Sequence, residues 1–221
     1  AATRLSANTK AGFSIISYTG TGSNGTVAHG LGVAPKWVIV KKRNNTGDWV
    51  VWHTGLGDGT KYAILDTTQA TLTATNIWNS TIPTSSVFSV GTHTTINNSS
   101  DTYIAYCFAE VEGYSKFGSY SGNGVADGTF IYTGFRPAWV VLKRTDTTAN
   151  WAILDHKRDP INPMGRELFA NTSDDEQSNS DDFDFVSNGI KFRRNYTDNN
   201  GSGTYIYTAF AEMPFKYANG R

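Results

Sequence analysis

Disulfides are excluded first: the 221 residues include a single cysteine, Cys107, which also rules out a cysteine-rich metal site. Charge is scarce, at 17% of residues, and sums to a formal net charge of zero. A nucleic-acid binder carries a basic face to neutralise phosphates, so no nucleic-acid partner is expected. No apolar run approaches the roughly 18 residues needed to span a bilayer, so no membrane insertion is expected. No charged segment followed by an apolar core opens the chain as a signal peptide would. It starts on Ala1 rather than Met, which reads as a processed product or a piece of something longer. Helix-forming runs of Ala, Leu, Glu and Lys are missing, and Thr, Ser, Asn and Gly stand where they would be. Aromatic residues reach 13%, which argues against disorder. What remains is the composition of a turn-rich β protein with a neutral, hydroxyl-covered surface.

The chain says one long segment twice. Tyr18, Gly20, Gly22, Gly32, Pro35, Trp37, Val38, Lys41 and Trp49 return 102 residues later as Tyr120, Gly122, Gly124, Gly134, Pro137, Trp139, Val140, Lys143 and Trp151. The register still holds further on, where Thr102, Tyr103, Ile104, Phe108, Ala109 and Glu110 become Thr204, Tyr205, Ile206, Phe210, Ala211 and Glu212. A self-match at a fixed period is the sequence sign of tandem repeats. The expectation is a polar arm or linker over 1–12, a first β unit over 13–118 and a second over 119–221, each of about 100 residues and able to form its own core.

Runs rich in β-branched and aromatic residues predict strands at Phe13–Tyr18, Trp37–Lys41, Trp49–His53, Lys61–Asp66, Val87–Thr92 and Asp101–Val111. In the second unit they fall at Phe130–Tyr132, Ala138–Arg144, Trp151–Asp155, Glu167–Ala170, Asp182–Val186, Gly189–Arg194 and Thr204–Met213. The fold class is all-β: a tandem repeat of two antiparallel, β-sandwich-like units in a pseudo-two-fold relation. The alternative, in which each unit supplies one sheet to a shared core, is equally open from the sequence. Two copies that keep their strands and differ in their loops place specificity in the loops.

Gly20-Thr-Gly22-Ser-Asn-Gly25 fits the dinucleotide pattern G-x-G-x-x-G. That motif needs a helix opening on its last glycine, and the TVAHGLGVAP that follows cannot start one, so it reads as a turn. The recurring Trp37, Trp49, Trp139 and Trp151 are assigned to core. Trp52 and Trp78 do not recur, Leu154 standing where Trp52 would, and are the candidates for a sugar-stacking platform. The acidic stretch with Asp174, Asp175, Asp181 and Asp182 is a weak calcium candidate, since calcium takes six to eight oxygen ligands. Its spacing fits no EF-hand and lacks the closing Glu after a glycine turn, and a solvated acidic loop is the stronger reading. The four histidines, His29, His53, His93 and His156, lack metal-ligand spacing. Cys107 sits in an apolar strand and reads as packed. Glu110 and Glu112 share a strand face, as the two carboxylates of a sandwich glycosidase would. The recurrence of Glu110 as Glu212, with Pro214 at the counterpart of Glu112, favours a structural salt bridge to Lys41 or Lys143. No catalytic residue, cofactor or enzymatic activity is expected.

The segments GLGVAPKWVIVKKR, PTSSVFSVGT, YIAYCFAEVEGYSKFGSYSGNG, YTGFRPAWVVLKR and AFAEMPFKYANGR resemble a domain found in virion proteins of tailed bacteriophages, particularly phages of marine bacteria. The resemblance runs from about Gly12 to Arg221. It implies a non-enzymatic virion protein, part of a tail fibre, spike or appendage, whose partners are other virion proteins, copies of itself as a possible trimer and a host cell-surface glycan. The alternatives are a capsid decoration protein, a free carbohydrate-binding module or lectin, and a glycoside hydrolase. No site residue carries over from the resemblance.

Overall fold

The computed structural model describes residues 2–212, and of residues 2, 3 and 179–181 the backbone only. Met213, at the end of the last expected strand, and Pro214 lie outside the described residues. Strand makes up 46% of the chain and helix 3%, in antiparallel sheets. Two compact units result: Ala1–Asp66 with Thr71–Glu110, and Thr67–Ala70 with Val111–Arg221. The boundary therefore precedes Gly118, where the repeat alone would divide the chain.

Unit 1 contains β1 (Ala2–Asn8), β2 (Phe13–Thr19), β3 (Gly25–Ala28), β4 (Trp37–Lys42), β5 (Trp49–His53), β6 (Lys61–Ile64), β7 (Leu72–Thr73), β8 (Val87–Val90), a single helical turn α1 (Thr94–Asn97) and β9 (Thr102–Phe108). Its main sheet runs β1-β2-β9-β4-β5-β6-β7, and β3 pairs with β8 apart from it. Alternate residues of β2 and β9 turn inward, so Ile16, Tyr18, Tyr103, Ala105 and Cys107 join Val38, Val40, Val50 and Trp52 in the core. Residues 2–8, read from the sequence as an arm, are a full strand, paired with β2 from Asn8 opposite Phe13 to Ala2 opposite Tyr18. The turn is made locally: Asn8 Oδ1 accepts from the amides of Lys10 (3.1 Å) and Ala11 (3.0 Å).

Unit 2 contains β10 (Ser115–Gly122), β11 (Phe130–Tyr132), β12 (Pro137–Arg144), β13 (Trp151–Asp155), β14 (Met164–Phe169), β15 (Gln177–Val186), β16 (Gly189–Phe192) and β17 (Gly203–Ala211). All eight form one sheet in the order β10-β17-β12-β13-β14-β15-β16-β11. This sheet nearly closes into a barrel. Its two end strands are tied where Thr129 Oγ1 donates to Ser121 O (2.7 Å), and Tyr120 on β10 stacks on Phe192 of β16 at 5.6 Å. Met164, Phe183, Phe185, Ile190 and Phe192 fill the interior with Val140, Leu142 and Leu154.

The strand order β2-β9-β4-β5-β6 of unit 1 matches β10-β17-β12-β13-β14 of unit 2, and the same small devices hold each. Tyr18 and Tyr103 stack at 5.1 Å, with hydroxyls donating to Ile96 O (2.7 Å) and Thr94 O (2.8 Å). Tyr120 and Tyr205 stack at 4.9 Å, with hydroxyls donating to Asn199 O (2.6 Å) and Thr197 O (2.7 Å). Lys41 Nζ donates to Gly47 O and Lys143 Nζ to Ala149 O, each at 2.6 Å. A buried asparagine, Asn97 or Asn200, pins the glycine-rich turn of each unit. Asn97 Oδ1 accepts from Thr21 N (2.9 Å) and its Nδ2 donates to the carbonyls of Ser23 and Gly91, both 2.6 Å. Asn200 does the same job with Asn123, Thr129, Val125 and Arg194.

Candidate functional site

Trp52 and Trp78 are both core residues, exposed by 4% and 2%. Trp52 lies opposite Val38, so it faces inward with it, and its indole N–H donates to Asp58 O (3.3 Å). Trp78 is carried inward by the loop between β7 and β8. Left-handed backbone at Asn79 and Ser80 turns the chain behind it, and Gly91 N and His93 N donate to Ile77 O (2.6 Å) and Asn76 O (3.0 Å). Gly91 permits this approach, because a Cβ there would lie 2.1 Å from Asn76 O. Neither indole offers a face to a sugar. The physical reason is the different closure of the two units. In unit 1 the β3–β8 pair stands apart from the main sheet, and Ile77 and Trp78 fill that side of the core. In unit 2 the ten-residue β15 and the short β16 bring Phe183, Phe185 and Phe192 to the same task. Of the four recurring tryptophans, Trp37 and Trp151 are buried, while Trp49 and Trp139 are half-buried.

The described members of the acidic stretch do not converge. Asp174 and Asp175 are exposed, Asp182 is buried and holds Arg194 (3.0 Å), and the side chain of Asp181 lies outside the described residues. Among the described residues no group of three or more His, Cys, Asp or Glu is placed to hold a metal ion. Glu212 pairs with Arg136 (2.8 Å) and approaches His156 (3.4 Å), not Lys143. Lys41 and Lys143 are spent on loop carbonyls. Burial lowers the Lys143 ammonium to about 8. Near Asp198, burial and the carboxylates of Glu167 and Asp198 push the Tyr196 hydroxyl up to about 12. Both Asp198 oxygens accept from Asn150, so this carboxylate serves as an anchor for the β12–β13 hairpin.

Three of the four histidines accept from backbone amides, while His156 Nδ1 faces Ala138 O at 3.3 Å and donates to it. Nδ1 of His53 and of His93 accepts from an amide two residues on, at 3.0 and 3.2 Å. His29 is fully buried; its Nδ1 accepts from Leu31 N (3.2 Å) and its Nε2 donates to Thr84 O (3.1 Å). That arrangement needs the neutral ring, and burial lowers the His29 pKa from 6.5. The unfolded chain then binds the proton more readily, so this contribution is full above pH 6.5 and is lost as pH falls from there through the folded pKa. Thermal melts between pH 7.5 and 5 should show wild-type losing stability relative to His29→Gln as the pH drops. Parallel slopes in the two proteins would show that His29 is not the group responsible.

Among the described residues, one surface carries exposed aromatics. Phe130 and Tyr132 on β11 are 44% and 64% exposed, on either side of the buried Ile131. On the neighbouring β16 they oppose Lys191 and Gly189, which in turn oppose Asp184 and Val186 on β15. Lys191 Nζ donates to Asp127 Oδ1 (2.6 Å) and Gly128 O (2.5 Å). Arg193 holds Asp184 through Nε at 2.6 Å. The matching strand of unit 1, β3, pairs through the buried Val27 and carries Thr26 and Ala28 at the two outward positions. Unit 1 carries small residues on the outward face of that short strand, where β11 carries the two rings. The comparison follows the exposed–buried–exposed alternation of Thr26, Val27, Ala28 and of Phe130, Ile131, Tyr132; the sequence alone misleads, since setting Gly128 against Gly25 puts Phe130 beside Val27 and Tyr132 beside His29.

Residues 1–214 match a family described as Domain of unknown function (DUF7483). The chain belongs to that family. No curated protein and no solved structure matches it. For this DUF7483 chain the chemistry must therefore be read from its own residues, and the surface around Phe130 and Tyr132 is the candidate site.

Proposed function

We propose that this chain is a structural protein of a phage particle, part of a tail fibre, spike or appendage, and that it contacts a glycan on the host surface. The virion assignment rests on the resemblance of the repeat segments. The recognition role rests on one observation: two large aromatic rings stand exposed at positions where the fold takes threonine and alanine in the other unit. Exposed aromatics beyond what the scaffold needs mark interaction surfaces. The scaffold itself we read as a duplication of a β-sandwich-like unit in a pseudo-two-fold relation. The shared strand order, the paired tyrosine stacks and the twin asparagine plugs support that reading. Partners in this reading are other virion proteins and further copies of the chain, in a trimer.

The test is made on purified particles of the phage whose genome encodes the chain. Labelled antibody should decorate the tail tip, and the soluble chain should compete with particles for adsorption to host cells. Label on the capsid shell would give the decoration-protein reading instead. Absence from the particle, with glycan binding retained, would give the free lectin. Turnover of a host polysaccharide that is lost in Glu110→Gln or Glu112→Gln would make it a glycosidase.

A further inference from the structure

We infer that the outer face of β11, β16 and β15 is a saccharide-binding platform for an uncharged glycan, with Phe130 and Tyr132 as stacking rings and the Asp127–Lys191 pair as its hydrogen-bonding edge. The inference rests on the glycan-recognition reading above and gives it a site and a ligand class.

Ile131 and Ile190 face each other and are buried, so Phe130, Tyr132, Lys191 and Gly189 share the opposite, outer face. Two rows follow across the three strands: Phe130, Lys191, Asp184 and then Tyr132, Gly189, Val186. The second row has a glycine at its centre. A Cβ at Gly189 would lie 2.1 Å from Ile131 O and 2.7 Å from the Phe130 ring, so Phe130 leans over bare backbone. The Phe130 ring covers Gly189, which is buried, and itself stays 44% exposed. Phe130 and Tyr132 are two residues apart on one strand, roughly 7 Å along it. That separation suits a chain of sugars, each laying the C–H face of its ring on one aromatic face.

The polar groups beside the rings are fixed before any ligand arrives. Two of the three donors of the Lys191 ammonium are used by Asp127 Oδ1 and Gly128 O, which leaves the third for a ligand oxygen. The Asp127 side chain is 91% exposed and offers its second oxygen to a hydroxyl. A donor and an acceptor side by side match the neighbouring hydroxyls of a sugar. Each acid on this flank has its own cation: Asp127 with Lys191, Asp184 with Arg193 and Asp182 with Arg194. The charges cancel in pairs, so nothing here selects an ionic ligand. A protein partner is the poorer fit, because a stable protein interface covers about 800 Å² on each side with an apolar centre, and two rings and a valine fall well short of that.

The experiment titrates the full chain with oligosaccharides of dextran, mannan and galactan, and with alginate as an acidic comparator, by calorimetry. The variant is Phe130→Thr with Tyr132→Ala, which installs the residues that unit 1 carries at the matching positions. Wild-type should bind at least one neutral glycan. The double variant should bind it about tenfold more weakly or worse, the loss expected when two stacking rings are removed. Its melting temperature should stay within about 2 °C of wild-type, as for other surface changes. Asp127→Asn should weaken binding several-fold. If the double variant binds a glycan as well as wild-type does, the platform is wrong while the recognition reading stands. If wild-type binds alginate alone, the uncharged class is wrong. If no glycan binds but the chain still adsorbs to host cells through these two rings, the surface takes a protein and the inference falls. If the chain neither binds glycan nor adsorbs, inference and reading fall together.

Discussion

Asn200→Ala should destabilise unit 2 by about 3 to 5 kcal/mol, among the largest effects of a single polar substitution in this chain. The Asn200 side chain is fully buried and makes four hydrogen bonds. Its Oδ1 accepts from Asn123 N (3.3 Å) and Thr129 N (3.2 Å), and its Nδ2 donates to Val125 O (2.9 Å) and Arg194 O (3.0 Å). Alanine leaves two amides and two carbonyls without that partner; a buried polar group so orphaned costs about 1 to 3 kcal/mol, and less where water can reach it, as at the exposed Asn123 and Val125. Partial relief by water entering from the turn brings the sum down to the range given. Asn200→Asp should not rescue the loss, because a second oxygen would then face the carbonyls of Val125 and Arg194. Urea unfolding measures the total, and amide exchange at Thr129 and Gly124 reports whether the damage is local. A loss under about 1 kcal/mol would mean that strand pairing alone holds this turn. Asn97→Ala tests the same plug in unit 1.

Trp78→Ala should cost unit 1 about 3 to 5 kcal/mol, the usual range for removing a large buried aromatic. The ring is 2% exposed in the core cluster with Val38, Trp52 and Phe88, and its loop is held down by the hydrogen bonds from Gly91 and His93, so the site cannot collapse cheaply. Trp78→Phe should recover most of the loss. The smaller ring still fills the space, and the indole N–H, buried without a hydrogen-bond partner among the described residues, is removed with it. Chemical denaturation of the three proteins decides the matter. Full stability in Trp78→Ala would return this residue to the surface role suggested by its absence from the second unit.

The two tryptophans show where sequence reasoning stops. Trp37 and Trp151 were legible as core because they recur on apolar runs, and the strands Trp49–His53, Phe130–Tyr132 and Trp151–Asp155 have the bounds that their β-branched and aromatic residues suggest. Failure to recur is a weaker guide. It marked Trp52 and Trp78 as exposed, when each fills a gap that unit 2 closes with other side chains. The inward turn of Trp78 depends on backbone at Asn79 and Ser80 that Thr/Asn-rich composition does not announce. β1 was hidden for a related reason: residues 4–8 are all exposed, and what makes it a strand is backbone pairing to β2. Phe130 and Tyr132 fell within a correctly expected strand, yet their outward direction emerges only from the pairing of Ile131 with Ile190.

The lone sulfur has a practical consequence. Cys107 is fully buried on β9, and burial pushes its thiol far above the range in which a thiolate forms in neutral solution. Its modification by a thiol reagent must wait for unit 1 to open, and unit 2 contains no other thiol to react. The chain therefore carries its own stopwatch: labelling rate reads the breathing of one half of the molecule while the other half stays silent.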